Sequence, residues 1–160
     1  MSAQPSLPTR TSAARRLAVL LALLVSLLST FATLGAAPAS AYAVGNKAVA
    51  IAAAQKGDPY RYGADGPGSF DCSGLTKYVY GKLGKSLPHS SKGQYSTTYV
   101  KRLAKSDKAP GDLIFIHNRG SIYHVGIYAG AGKWWVAPKT GDVVKLQTLY
   151  TSSYYVGRVK

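Results

Sequence analysis

Cysteine, acidic side chains and closely spaced metal ligands are all scarce in this 160-residue chain. Cys72 is the one cysteine, so an intramolecular disulfide is excluded, and a spare thiol is a liability in an oxidising compartment unless it has a function. The three histidines are dispersed and lack the ligand spacing of a zinc site. We therefore expect no metal and no cofactor, and Cys72 is either a nucleophile or a buried, inert thiol.

Acidic residues are few, since the chain has six aspartates and no glutamate against twenty Lys and Arg. The basic residues are scattered, without a run of five or six, which argues against a dedicated nucleic-acid-binding arm. Such a charge serves solubility and favours contact with polyanions within a Debye length, roughly 8 to 10 Å in physiological salt. The partners that this charge favours are polyanions, such as anionic phospholipid or anionic wall polymers of the teichoic-acid type, and nucleic acid is not expected.

The N-terminal region has the three parts of an export signal. Arg10, Arg15 and Arg16 precede the apolar run LAVLLALLVSLL, and APASA supplies the small residues of a signal-peptidase site. We predict a signal peptide over residues 1–41, cleaved after Ala41, and a protein secreted to the extracellular space or the cell wall. A stable membrane anchor is not expected, because serine and threonine interrupt the apolar run.

The predicted mature chain, residues 42–160, has 160 − 41 = 119 residues, enough for one compact domain and too few for two. It contains no linker or repeat. Seventeen Lys and Arg against six Asp give it a net charge of +11 with histidine neutral. We expect a monomer that acts through this single domain.

The mature chain changes from helical to strand patterns along its length. Alanine-rich residues 46–57 predict a helix with Asn46 as N-cap, and a second helix is predicted to begin near Cys72 and to weaken at Gly81. Strands are predicted in DLIFI, YHVGIYAG, KWWVAP, DVVKLQ and YYVGRV, and the two adjacent tryptophans of KWWVAP are expected to be one buried and one exposed. This order predicts an α+β domain, with helices packed on a curled antiparallel sheet of five or six strands.

A cysteine attacks a carbonyl as the thiolate, and its ordinary pKa of about 8.5 leaves little thiolate at neutral pH. A helix N-terminus stabilises negative charge by about 0.3 to 1 kcal/mol at exposed sites, and its free N–H groups can hold an oxyanion. An imidazole would supply the remaining help and protonate the leaving amine.

Three histidines are candidates for that base. His124 ranks first because a strand is a rigid support and Gly126, on the same strand face, leaves room for a helix end or a substrate. His117, at a turn, ranks second, and His89, in a loop, ranks third.

Five segments follow one another in a specific order: GDPYRYGADGPGSFDCSGLTKYVY, LPHSSKGQY, APGDLIFI, YHVGIYAGAGK and VAPKTGDVVK. Together they resemble the NlpC (p-sixty) family of bacterial cell-wall cysteine peptidases, over essentially the whole mature chain. The resemblance implies a papain-like α+β fold and hydrolysis of an amide bond in peptidoglycan stem peptides, commonly the bond between D-glutamate and the diamino acid. Peptidoglycan is then the expected partner.

The resemblance also assigns roles to individual residues. It makes Cys72 the nucleophile and His124 the base, the pair that the chemical argument also favours. Tyr60 matches a tyrosine whose hydroxyl points into the site near the oxyanion. Asp71 and Ser73 match residues that help receive the substrate's free amine in some members.

One position departs from the family pattern. The family usually has a third polar residue, most often histidine, just before AP, where it holds the imidazole of the base; this chain has Val136. A backbone carbonyl, a water or another side chain such as Asp142 must then orient His124, or catalysis is weakened. Two alternatives to a wall hydrolase follow: a catalytically impaired wall-binding protein of the same fold, or a secreted antibacterial amidase toxin.

Overall fold

The computed structural model describes residues 39–160, which form three helices and one six-stranded sheet. The helices are α1 (Ala39–Ala53), α2 (Cys72–Gly81) and α3 (Ser91–Gln94). The strands are β1 (Val100–Leu103), β2 (Leu113–Asn118), β3 (Ser121–Gly130), β4 (Lys133–Val136), β5 (Lys145–Thr148) and β6 (Tyr154–Val159). All but the last three residues of the predicted signal peptide lie outside this range. Across residues 39–160, the helices are too short or too polar to cross a membrane.

Helix α1 starts earlier than the sequence suggested. Asn46 lies within the helix, so its predicted role as N-cap is wrong. Three of the residues that precede it in the helix are alanines, which have the highest helix propensity and extend the helix toward the N-terminus. Ala48 and Ala52, four positions apart, are fully buried and define the face that packs inward. The predicted cleavage point after Ala41 lies near the beginning of this helix.

Helix α2 begins at Cys72, as predicted. Asp71 has an extended backbone, and its Oδ1 accepts a hydrogen bond from the N–H of Gly74 at 2.7 Å, which is the geometry of an N-cap. Leu75 and Val79 are fully buried and fix the helix on the sheet. The cap and this apolar face together set Cys72 at the first helical position.

The sheet has the strand order β1-β6-β2-β3-β4-β5, and every neighbouring pair is antiparallel. It is open, with β1 and β5 at its edges, and the predicted fold class is confirmed. Strand β1 was not predicted. It has four residues, and its exposed Lys101 and Arg102 give it no apolar alternation, as is common for edge strands.

Two apolar clusters lie on opposite faces of the sheet, because successive side chains of a strand alternate. The cluster under the helices includes Phe70, Leu75, Phe115, Val125, Ile127 and Trp135. The cluster on the other face includes Ile114, Ile116, Tyr128, Trp134, Val136 and Val156. Trp134 and Trp135 are thus both buried, one in each cluster, and the expectation of an exposed tryptophan is wrong.

Candidate active site

Cys72 and His124 line one open cleft of about 880 Å³ at the N-terminal end of helix α2. Tyr60, Asp71 and Ser73 line the same cleft. The structure therefore gathers into one cavity the five residues to which the sequence assigned a catalytic, orienting or substrate-binding role.

The Cys72 sulfur lies among backbone donors at the start of α2. Burial raises the pKa of the thiol and the neighbouring carboxylate of Asp71 adds to the rise, whereas hydrogen bonds from backbone N–H groups lower it. Those N–H groups belong to Cys72, Ser73 and Val125. The pKa is raised on balance, so the resting thiol is protonated at neutral pH. The donors are placed to stabilise negative charge once it forms at the sulfur or beside it.

His124 is held in the body of strand β3, where its backbone pairs with Ile116 of β2. Burial lowers the pKa of its imidazole to about 4, against a smaller upward effect of the Asp71 carboxylate. The ring is consequently neutral at physiological pH, which is the form that can accept a proton.

The imidazole of His124 also meets an aromatic neighbour that the sequence did not indicate. The ring of Trp134 lies edge to face with it, at 5.6 Å between centroids and 86° between planes. A Cβ atom on Gly126 would come within 2.6 Å of the same tryptophan. The space beside Gly126 is therefore filled by Trp134, and the expectation that it admits a helix end or a substrate is wrong.

Asp71 has the most hydrogen-bonded carboxylate in the cleft. Oδ1 accepts from the N–H of Gly74 at 2.7 Å and from the hydroxyl of Ser73 at 3.0 Å. Oδ2 accepts from the N–H of Gly63 at 2.9 Å and lies 2.9 Å from Nε2 of His89. Burial alone would raise the pKa of Asp71, but these partners hold it below its ordinary value. The carboxylate is therefore fixed and negatively charged.

The three histidines have different positions relative to the cleft. His89, ranked third as a base, lines the cleft but faces Asp71, and its Nδ1 lies 3.9 Å from a carboxylate oxygen of Asp65. His117, ranked second, stacks on the ring of Tyr155 at 4.2 Å, away from the residues that line the cleft. His124, ranked first, lines the same cleft as Cys72 from strand β3.

Tyr60 lies beside Cys72 and Asp71, the two ionisable residues at the N-terminus of α2. Burial raises the pKa of its phenol, and the neighbouring Cys72 and Asp71 raise it further. Its backbone N–H donates to the carbonyl of Asp142 at 2.8 Å, which fixes the loop before α2 against the loop after β4. The hydroxyl is thus protonated and able to donate a hydrogen bond in the cleft.

Val136 lies in an apolar environment. Its side chain is fully buried in the cluster that contains Trp134. Asp142, the suggested substitute for the missing polar residue, lines the cleft, but its carboxylate is engaged by Lys145 at 2.7 Å and by the N–H of Val143 at 2.8 Å. The imidazole of His124 packs against the ring of Trp134.

Sequence reasoning missed Gln94, a completely buried amide at the end of α3. Its Oε1 accepts from the hydroxyl of Thr76 at 2.7 Å. Its Nε2 donates to the carbonyls of Ser73 at 2.9 Å and of Pro88 at 2.8 Å. These bonds attach the loop that contains His89 to helix α2. No local pattern could have revealed them, because two of the three partners are 18 and 21 positions away.

Comparison with known proteins shows a consistent family relationship. Residues 57–159 match the model of the NlpC/P60 family. A protein of Listeria monocytogenes named probable endopeptidase p60 is 45% identical over 106 residues, which are 65% of this chain and 21% of that protein. Murein DD-endopeptidase MepH of Escherichia coli is 37% identical over 110 residues, 64% of this chain and 41% of that protein. The chain therefore matches less than half the length of either relative.

A solved structure gives the same result for the fold. The NlpC/p60 domain of the peptidoglycan hydrolase SagA superposes with a TM-score of 0.64 at 33% sequence identity. The superposition covers 71% of this chain and 97% of the SagA domain.

Proposed function

Because this chain belongs to the NlpC/P60 family, we propose that it is a peptidoglycan endopeptidase that uses Cys72 as nucleophile and His124 as base. The observation that carries the proposal is the shared cleft, in which a thiol at a helix N-terminus and a neutral imidazole on a rigid strand face the same space. The names of the relatives, two endopeptidases and a peptidoglycan hydrolase, support this class of reaction.

The proposed reaction starts from the neutral pair. His124 takes the proton of the Cys72 thiol as the sulfur attacks the carbonyl carbon of the scissile amide. The oxygen of that carbonyl becomes an oxyanion, which the N–H of Cys72 and the hydroxyl of Tyr60 stabilise. The imidazolium then gives its proton to the amide nitrogen, the C–N bond breaks, and an amine leaves behind a thioester.

The second half of the reaction restores the enzyme. Water attacks the thioester carbonyl while His124 removes one of its protons. The C–S bond breaks, the acid product leaves, and the proton returns to the sulfur. No charge has to persist between turnovers, which agrees with the burial of both reacting groups.

We propose that the bond cut joins D-glutamate to the diamino acid of a stem peptide. The fixed, charged carboxylate of Asp71, with the hydroxyl of Ser73 beside it, is suited to a substrate ammonium group. Since one relative is named a DD-endopeptidase, the cross-link between two stems is the competing bond. Fragment masses from digested wall material separate the two.

Peptidoglycan lies outside the cytoplasmic membrane, so the proposed function requires export. The predicted signal peptide over residues 1–41 supplies a route to the extracellular space or the wall. Mass spectrometry of protein recovered from the culture medium should give a chain that begins at Tyr42.

The central test uses purified sacculi and mass spectrometry of the released peptides. Wild-type protein should release stem-peptide fragments, and Cys72→Ala and His124→Ala should each abolish the release. His117→Ala is the matched control and should keep it, because His117 packs on Tyr155 outside the cleft. Release by Cys72→Ala protein would overturn the mechanism.

The apolar burial of Val136 favours a second candidate, a wall-binding protein whose site has been impaired. In that case wild-type protein sediments with sacculi but releases no fragments. Alkylation of Cys72 by iodoacetamide near pH 7 gives an independent measurement. If His124 takes the thiol proton, His124→Ala should slow alkylation, whereas an impaired site should show no slowing.

A further inference from the structure

Exposed aromatic side chains are concentrated at the rim of the cleft. Among the described residues, seven large apolar side chains are exposed, and three of these, all tyrosines, line the cleft. Their exposed fractions are 87% for Tyr62, 58% for Tyr123 and 63% for Tyr150. An exposed aromatic ring in a binding cleft presents an apolar face and a polar hydroxyl to whatever enters.

Tyr123 and Tyr150 form one surface. Both line the same cleft; burial raises the pKa of Tyr150, and the neighbouring Tyr123 raises it further. The ring of Tyr150 also lies 6.3 Å from that of Trp134, centroid to centroid. Since Trp134 in turn contacts His124, Tyr150 packs on the same buried ring as the proposed base.

Polar side chains line the same cleft as the tyrosine pair. Gln147, on β5 directly opposite Trp134 of β4, lines the cleft, as do Lys139 and Thr140. Amide, ammonium and hydroxyl groups can bond to sugar hydroxyl and acetamido groups, while the ring faces pack on the C–H face of a pyranose. A lipid chain or an apolar peptide would instead require a continuous apolar patch.

We propose that Tyr123 and Tyr150 form a carbohydrate subsite that binds an N-acetylhexosamine of the glycan strand while the stem peptide lies against Cys72. This inference rests on the proposed function, because peptidoglycan is the substrate in which a sugar and a stem peptide are joined. It predicts that the protein prefers stem peptides still attached to glycan over free ones.

The first experiment measures sugar binding without catalysis. Wild-type protein is titrated with the β-1,4-linked tetramer of N-acetylglucosamine, which contains no peptide bond, and the dissociation constant is measured by NMR chemical-shift changes. We expect Tyr150→Ala to weaken binding about tenfold, while Tyr150→Phe, which keeps the ring, retains it. Leu146→Ala is the matched control, since Leu146 is an exposed apolar residue of β5 outside the cleft lining.

The second experiment measures substrate preference. KM is determined for a disaccharide-linked stem peptide and for the same peptide without sugar. We expect wild-type protein to favour the sugar-linked form about tenfold in KM, and Tyr123→Ala and Tyr150→Ala to remove that ratio. A change confined to kcat would instead mean that the variants act through Trp134 and His124, and would overturn the subsite.

The two proposals fail in different ways. Hydrolysis of both substrates with equal KM, together with no binding of the tetramer, overturns the carbohydrate subsite and leaves the endopeptidase intact. Tetramer binding that depends on Tyr150, with hydrolysis of neither substrate, supports the subsite and refutes the endopeptidase. If the tyrosine variants raise KM equally for both substrates, the tyrosines recognise the peptide alone. That result would also refute the carbohydrate subsite.

Discussion

At the scale of single residues, burial determines the chemistry that Cys72 and His124 can perform. A charged group loses hydration when it is buried, so the thiolate and the imidazolium are both disfavoured in the resting protein. In the proposed mechanism, the donors at the N-terminus of α2 stabilise negative charge only once it develops during attack. Proton transfer and nucleophilic attack are therefore expected to be coupled.

The lowered pKa of His124 predicts an unusually acidic lower limit of activity. A general base must be neutral, so kcat/KM should fall about tenfold per pH unit only as the pH drops below about 4, measured on a stem-peptide substrate. An acid limit near 6.5, the ordinary value for histidine, would contradict this.

Circular dichroism over the same pH range controls for unfolding in that experiment. Asp71 has a lowered pKa in the folded protein, so its stabilising charge is present above its ordinary pKa and is lost as the pH falls through the lowered value. Its contribution to the folded state therefore persists while His124 begins to titrate.

Restoring a polar residue at position 136 should not increase turnover. Val136→His would bury an imidazole in an apolar cluster, at a cost of about 1 to 3 kcal/mol in the free energy of unfolding, with no rise in turnover. Urea denaturation and kcat measurements check both parts. Val143→His, at an exposed valine, is the matched control and should leave stability nearly unchanged. A severalfold gain in kcat for Val136→His would show that His124 lacks an adequate orienting partner in the wild-type protein.

At the scale of elements, the site depends on how the loop before α3 is attached to helix α2. Asp71 caps the helix and also binds His89, which belongs to that loop. Gln94 links the loop to the same helix through Thr76 and the carbonyl of Ser73. The two elements are thus tied together on both sides of the cysteine.

Removing the Gln94 amide should destabilise the fold and disturb the cleft. Gln94→Ala leaves the Pro88 carbonyl without its side-chain donor and leaves the Thr76 hydroxyl with the Ser73 carbonyl as its partner, and we expect a loss of about 1 to 3 kcal/mol in urea denaturation. KM should rise as His89 loses its fixed position. Gln55→Ala, at a partly exposed glutamine in the turn after α1, is the control and should cost less than about 0.5 kcal/mol. Equal losses in both variants would contradict the role given to Gln94.

At the scale of the whole molecule, positive charge exceeds what the acids can neutralise. Three of the six aspartates lie in ion pairs with Lys or Arg, and a fourth, Asp71, contacts His89. Other cations lie over tyrosine rings, namely Lys82, Arg102, Lys105 and Lys108. The remaining net charge favours an anionic surface such as a wall polymer.

Binding to wall material should therefore depend on salt. The fraction of Cys72→Ala protein that sediments with sacculi should fall strongly between about 10 mM and 1 M NaCl, because the Debye length shortens from about 30 Å to about 3 Å. Sacculi freed of anionic polymers should bind less protein and show a weaker salt dependence. Equal binding to both preparations would contradict an electrostatic contribution.

Local sequence determined the framework of the site. The cap at Asp71, the start of α2 at Cys72 and the change to strand periodicity after Pro110 all follow from neighbouring residues, because capping and amphipathic periodicity act over a few positions. The order of motifs was also sufficient to indicate the family. Errors occurred where the local signal was weak or was extended by neighbours, as at Asn46 and the short edge strand β1.

Only the tertiary structure decided what surrounds the reacting groups. The contact of His124 with Trp134, the pairing of His89 with Asp71, and the burial of both tryptophans join residues from different strands and loops. Such contacts depend on which faces of the sheet are covered, and alternation along a strand does not reveal that. Burial likewise sets the pKa of a side chain through every element packed around it. The sequence therefore specified where Cys72, the proposed nucleophile, lies, and the packing of the two sheet faces specified the environment of its thiol.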